Sequence, residues 1–128
     1  MNDFSSALSI AASGMRSQST RLTQVSENIA NADTPGYRRK LTVFQPDRDA
    51  APGAVTTGPV WLDRTELPQI FDPAHPMANA EGYYSGSNVD LIVEIADARQ
   101  AQRSYEANLR VFDQVRRMSS ELNDLLRR

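Results

Sequence analysis

A chain of 128 residues with net charge −2, no cysteine and one histidine has room for a single modest core. The missing cysteines exclude disulfide frameworks, thiol catalysis and the common zinc sites, and one imidazole leaves little for His-based metal or triad chemistry. Mild acidity argues against a general nucleic-acid binder, which carries a large basic excess.

The chain opens on an apolar, serine-rich stretch, FSSALSIAASGM, that superficially resembles a signal-peptide core. Asp3 stands where such a peptide needs cations, so the segment is expected to be mature sequence. No apolar run approaches the roughly 18 residues that span a bilayer. Residues 1–33 form the first zone, with no proline and a single glycine before Asn31. Leu8, Met15, Leu22 and Ile29 recur at heptad spacing, with Phe4, Ala11, Gln18, Val25 and Ala32 on the complementary positions. That pattern predicts a helix that packs along a seam. Ser5, Ala12, Ser19 and Ser26 make a flanking row of small residues, where an isolated surface helix would carry charged pairs. Small flanks allow close approach of helices on more than one side.

Residues 34–88 hold all seven prolines. Short β-type runs, YRRKLTVF, GAVTT, PVWLD and LPQIF, alternate with Pro, Gly and Asp, predicting a small β-hairpin or meander packed around Phe44, Trp61 and Phe71. Residues 89–128 lose proline and glycine again. Ser87 to Asp90, SNVD, has capping-box spacing ahead of an apolar run. Leu91, Ile95, Ala98, Gln102, Tyr105, Leu109 and Phe112 trace a seam, which then slips to Val115, Met118, Leu122 and Leu125. Glu106–Arg110, Asp113–Arg117 and Asp124–Arg128 stand at i,i+4 with the acid first, the favourable order. The expected fold is mainly α: two long end helices paired as an antiparallel coiled coil, with a Pro-rich β insert between them. Two narrow seams bury little surface, so stability must come from association.

Chemistry-bearing candidates are few. Arg38, Arg39 and Lys40 could touch phosphate, but in an acidic chain they are expected to be an exposed strand start that keeps an edge soluble. His75, in DPAHP, has no second histidine or nucleophile motif beside it and is expected in a turn between prolines. Glu94 pairs by spacing with Asp90 and Asp97, a pattern that on such a helix is expected on a solvated face. GYYSG follows no strand signal that would make it a phosphate loop. The first helix has only Arg16 and Arg21 as cations, too few for a membrane-surface role. No enzymatic site, cofactor, metal or nucleic-acid partner is expected. In NADTPGYRRK, Asn31 is suited to a left-handed helix end and Pro35-Gly36 to the centre of a type II turn, with Tyr37 anchoring it.

SENIANADTPGYRR, residues 26–39, resembles the signature of the bacterial flagellar rod and hook family, with matches at Ser26, Asn28, Ile29, Ala30, Asn31, Thr34, Pro35, Gly36, Tyr37 and Arg38. Residues 72–112, from DPAHPMANAEGYY through SYEANLRVF, look most like the proximal-rod members. Where the family commonly has Pro-Asn-Val, this chain has Ser87-Asn88-Val89. The resemblance implies a structural subunit of the basal-body rod, exported by the flagellar type III apparatus without a cleaved signal peptide. It implies stacking into the hollow periplasm-spanning shaft that carries motor torque and serves as export channel. The implied partners are further copies of itself, other proximal and distal rod proteins, and the rod-base adaptor near the export gate and MS ring. The assembly seam would comprise Leu8, Met15, Leu22, Val25, Ile29, Leu91, Ile95, Tyr105, Leu109 and Phe112. The competing expectation is a coiled-coil adaptor or export chaperone that uses the same seams without polymerising.

Overall fold

A computed structural model describes residues 2–128; Met1, the first residue of the expected helix, lies outside the described residues. The order of elements is α1 (Asn2–Ala30), β1 (Lys40–Pro46), β2 (Val55–Leu62), β3 (Gln69–Phe71), β4 (Tyr83–Ser85) and α2 (Leu91–Leu126). The two helices pack together and run antiparallel, since Gly14 lies against Asn108 while Asn28 bonds to Glu94. The expected α-helical pair with a β insert is thus the observed fold.

The insert is two separate hairpins. β1 pairs with β2 from Lys40↔Leu62 to Pro46↔Val55. GAVTT and PVWLD, expected as separate strands, are one strand interrupted by a bulge: between Thr42 and Phe44 one residue faces the two residues Gly58 and Pro59. The bulge tolerates a proline that a regular ladder would reject. β3 pairs with β4, a strand the composition of GYYSG did not suggest. The hairpins do not close over Trp61 and Phe71, which are 59% and 62% exposed. Phe71 instead leans on Tyr83 across the second hairpin, with ring centroids 5.1 Å apart. Val55 on β2 donates its N–H to Ser13 Oγ of α1, which lays the first hairpin along one flank of that helix.

Inside the helix pair the seam differs from expectation by rotation. On α1 the inner rows are Phe4, Ala11, Gln18 and Val25 with Ala7, Gly14, Arg21 and Asn28, all buried or half-buried. On α2 they are Ala98, Tyr105, Phe112 and Ser119 with Glu94, Ala101, Asn108 and Val115. The heptad register therefore continues to Ser119 without the expected slip. Leu91, Ile95 and Leu109 lie outside the pair and are exposed, as is Ile29; Leu8, Met15 and Leu22 are half-buried. Val25, Tyr105 and Phe112 fall on the inner rows. The physical reason is that each helix carries more than one row with apolar members. Counting bulk selects the row Leu8, Met15, Leu22 and Ile29, whereas the intrachain contact uses mixed rows in which Ala7, Ala11, Gly14 and Ala101 permit close approach. Gly14 shows how close that contact is: a Cβ there would stand 2.7 Å from Asn108 Nδ2.

α2 starts at Leu91, not Val89. Asp90 is its N-cap and accepts from Ile92 N–H at 3.0 Å. Ser87 closes a local turn instead, accepting from Val89 N–H at 3.1 Å. No i,i+4 ion pair closes on α2 among the described residues; the four ion pairs there link different segments.

Gly14→Val should force the helices apart, with overpacking costing about 1–3 kcal/mol. Thermal unfolding followed by helical circular dichroism should show the loss, and Asn108→Ala in the same chain should recover part of it.

Candidate functional site: a polar joint and the outer helix rows

The residues 31–40 turn the chain from α1 into the first hairpin. Asn31 does not end the helix in the expected left-handed conformation, because no non-glycine residue among those described has positive φ. Its side chain compensates by donating to Glu27 O at 2.8 Å, and its Oδ1 accepts from Thr34 Oγ1 at 3.1 Å. Thr34 to Tyr37 form the expected turn, with Tyr37 N–H donating to Thr34 O at 3.2 Å and Gly36 at φ +75°. That φ is the left-handed value a type II turn demands at its third residue. Gly36 N–H then reaches Ser85 O at 3.1 Å, tying the turn to β4. Ser26 and Ala30 point outward, and Ser26 only bonds back to Leu22 O.

Beneath this turn lies a buried polar cluster. Asn28 is buried and uses its whole amide: Oδ1 accepts from Tyr37 OH and Lys40 N–H, both at 2.9 Å. Its Nδ2 donates to Lys40 O at 3.0 Å and to Glu94 Oε2 at 3.3 Å. The side chain thus pairs with Lys40 as a neighbouring strand would. Glu94 is 0% exposed, and the other carboxylate oxygen accepts from Arg39 Nε. Arg39 continues to Asp97 at 2.8 Å, and Arg21 reaches Asp97 at 3.3 Å and Gln100 at 3.1 Å. Asn88 fastens the far side, accepting from Arg39 N–H at 2.6 Å and donating to Asp63 O and Thr65 O. Arg38 donates to the same two carbonyls, and Lys40 pairs with Glu27 at 2.8 Å.

Two expectations are corrected here. Glu94 and Asp97 do not sit on a solvated face, and the cations 38–40 are not a free, solubilising strand start. Each is consumed in tying the insert to a helix or a loop. Glu94 was discoverable from its phase, since it lies in line with Ala101 and Asn108 on one side of α2. A buried carboxylate persists only when its oxygens are hydrogen-bonded and its charge is matched. Burial raises the Tyr37 hydroxyl above its ordinary pKa, consistent with a neutral donor to Asn28. The Thr65 hydroxyl and N–H bonds hold Asp63 below the usual carboxylate range.

His75 sits in the expected turn, where Nδ1 accepts from Met77 N–H at 3.1 Å and the ring stacks on Tyr84 at 3.8 Å. Among the described residues no group of three or more His, Asp or Glu side chains is placed to hold a metal, and no helix is long and apolar enough to cross a membrane.

Glu94→Ala should destabilise the fold by about 2–4 kcal/mol, because Arg39 and Asn28 lose a buried partner. A double-mutant cycle with Arg39→Met should show strong coupling in chemical denaturation. For Asp63 the sign follows from its lowered value. Its contribution is complete above the unfolded carboxylate pKa of about 3.9. It is lost as pH falls through the lower folded value, and the Thr65 amide resonance should move in that window.

Similarity to known proteins fits this geometry. Residues 1–38 match a family described as flagella basal body rod protein, and residues 80–125 match one described as flagellar basal body rod FlgEFG protein C-terminal. The chain is 43% identical to the flagellar basal-body rod protein FlgC of Agrobacterium fabrum, over 99% of this chain and 98% of that one. It is 39% identical to FlgC of Escherichia coli O6:H1, covering 85% and 87%, and 30% identical to FlgC of Bacillus subtilis, covering 88% and 91%. An antiparallel helix pair at the chain ends, a signature turn locked by Asn28 and Tyr37, and relatives matched over nearly their whole length agree: this chain belongs to the FlgC family of flagellar basal-body rod proteins.

Proposed function

We propose that this chain is a structural subunit of the proximal rod, stacking helically with rod proteins to build the hollow shaft that transmits torque and passes export substrates. The observation that carries this reading is an inversion of ordinary packing. Among the described residues the buried apolar side chains, Ala11, Val25, Ala54 and Ala101, are none larger than valine. Many bulky ones, among them Ile29, Leu91, Ile95, Leu109 and Leu122, are exposed on the helices, and Leu8, Met15 and Leu22 are only half-buried. The chain presents 9005 Å² to solvent, whereas a compact monomer of 14.2 kDa exposes about 6,800 Å². The excess, about 2,200 Å², is enough for more than one interface at about 800 Å² per partner.

In this reading Leu8, Met15, Leu22 and Ile29 on α1, and Leu91, Ile95 and Leu109 on α2, meet neighbouring subunits, while Val25, Tyr105 and Phe112 close the intrachain pair. Ser5, Ala12, Ser19 and Ser26 let a further helix approach. The neighbours are other copies and other rod proteins, proximal and distal, with the rod-base adaptor near the export gate and MS ring. Passage through the flagellar type III export apparatus would deliver the subunit. A non-polymerising adaptor or export chaperone would use the same surfaces, but it has no need of several unsatisfied apolar rows at once.

Leu22→Asp and Leu109→Asp should each prevent incorporation into basal bodies and abolish motility while leaving helical content nearly unchanged, because each puts an unpaired charge into an interface. His75→Ala should remain motile. Swimming assays and isolated basal bodies probed for the subunit check both, and a motile Leu22→Asp or Leu109→Asp strain would sink this reading.

A further inference from the structure

The second hairpin carries a face that the rest of the chain leaves uncovered. Among the described elements β3 and β4 pack on each other and on no other helix or strand. Phe71 and Tyr83 stand directly opposite each other across the two strands, so they share one face. Their rings lean together, yet they are 62% and 42% exposed. Met77, on the turn that joins the strands, is 64% exposed. These groups are braced. A Cβ at Gly82 would stand 2.8 Å from Phe71 Cε2, so the ring is seated against the glycine backbone. Asn79 Oδ1 accepts from Glu81 N–H and Tyr83 N–H, both at 3.0 Å, and Asp72 N–H donates to Gly82 O at 2.9 Å. A turn held in this way presents its aromatic pair with little further ordering cost.

The charge along this hairpin has one sign. Between Arg64 and Arg99 the chain has no Lys or Arg. Asp72 and Glu81 flank the aromatic pair, are exposed, and form no ion pair among the described residues. Arg38 and Arg64, the cations of the neighbouring segments, line a separate surface with Val60, Trp61 and Leu62.

We propose that this face is a docking surface for a protein other than this chain, one that offers an apolar socket rimmed by Lys or Arg. Phe71, Tyr83 and Met77 enter the socket, and Asp72 and Glu81 meet its cations. Aromatic side chains and methionine are enriched at interface cores relative to the remaining surface. Charge of one sign selects a partner of the other and rejects like-charged ones. The same carboxylates repel nucleic acid and anionic lipid headgroups, which leaves protein as the partner class. A partner with a basic excess fits better than a second copy, whose net charge of −2 is also negative. The inference goes beyond the rod-subunit reading, which assigns the outer helix rows to neighbours and gives the second hairpin no role.

The test places the photo-crosslinker p-benzoylphenylalanine at Met77 or at Ala80, both exposed turn positions, in flagellated cells. Ultraviolet light should link each variant to one protein other than this chain, through a peptide that contains Lys or Arg. Glu81→Lys combined with Asp72→Asn, which keeps the oxygen that accepts from Ala74 N–H, should lower the yield at least tenfold. Glu81→Gln alone, which leaves the backbone bonds of the turn in place, should lower it about threefold. Reversing the charge of the linked peptide's cations should recover part of the yield lost to Glu81→Lys. Far-UV circular dichroism checks that each variant folds. A second copy as the linked chain, a lipid or nucleic-acid adduct, a linked peptide without Lys or Arg, or no product from either position overturns the proposal. A yield that both Glu81 substitutions leave unchanged overturns it too. Isolated basal bodies probed for the subunit read incorporation separately, so loss of this contact and failure of the rod reading are told apart.

Discussion

The Arg39–Glu94 ion pair is the constraint on which the arrangement of the parts depends. Glu94 belongs to α2, Arg39 to the segment leaving the signature turn, and Asn28, which bonds to Glu94 at 3.3 Å, belongs to α1. One buried carboxylate therefore fixes three segments at once. It also fixes register. Sliding one helix along the other by a turn, about 5.4 Å, would leave Glu94 without Asn28 and strand a charge out of water. An apolar seam built from alanine and glycine alone would tolerate such a slide far better. Replacing a buried pair with apolar groups often costs little stability, so its principal effect here is to specify one geometry.

That geometry explains why the small apolar interior does not leave the fold undefined. The buried apolar positions supply close approach rather than large hydrophobic area. Asn28 and Asn88 supply the definition, since each satisfies donors and acceptors on separate strands or loops. Fully satisfied polar networks of this kind rigidify, whereas half-satisfied ones weaken. The bulky residues are thereby released for the outside of the helices. A subunit that must join several neighbours can keep its large apolar rows outward only if something else holds its own parts together.

The helical pair, the insert and the turn at residues 34–37 were legible in the sequence because each rests on local rules: heptad spacing, proline clustering, and the Pro-Gly requirement of a type II turn. The inner seam was only half legible. The row Phe4, Ala11, Gln18, Val25 was visible as a companion, yet its partner row proved to be Ala7, Gly14, Arg21, Asn28 rather than the bulkier Leu8, Met15, Leu22, Ile29. Periodicity gives the spacing of a seam but not which of several parallel rows faces which neighbour. The polar joint was hidden for another reason. Glu94 is separated from Arg39 by the whole insert, and although its phase with Ala101 and Asn108 marks the side it faces, nothing local names its partner. The i,i+4 pairs on α2 looked equally good by spacing, yet the closed ion pairs run between segments. Spacing permits a pair on an exposed helix face, but a solvated pair gains too little to be held closed.

Under the proposed rod-subunit function, torque transmission places the same demand on joint and surface. A shaft twists least when no element can rotate about its own axis, and packed interiors resist that deformation because their contacts are dense and discrete. Within one chain, rotation of α2 would have to pull Glu94 from Arg39 and Asp97 from Arg21 together, while Gly14 and Asn108 would collide. The insert cannot swing independently either. Arg38 and Asn88 grip the same two carbonyls at the end of the first hairpin, and Gly36 is bonded to the second. Helices and hairpins therefore move as one body. Stress applied at the outer rows passes through the polar joint rather than being absorbed by a hinge, the mechanical property a rod subunit requires.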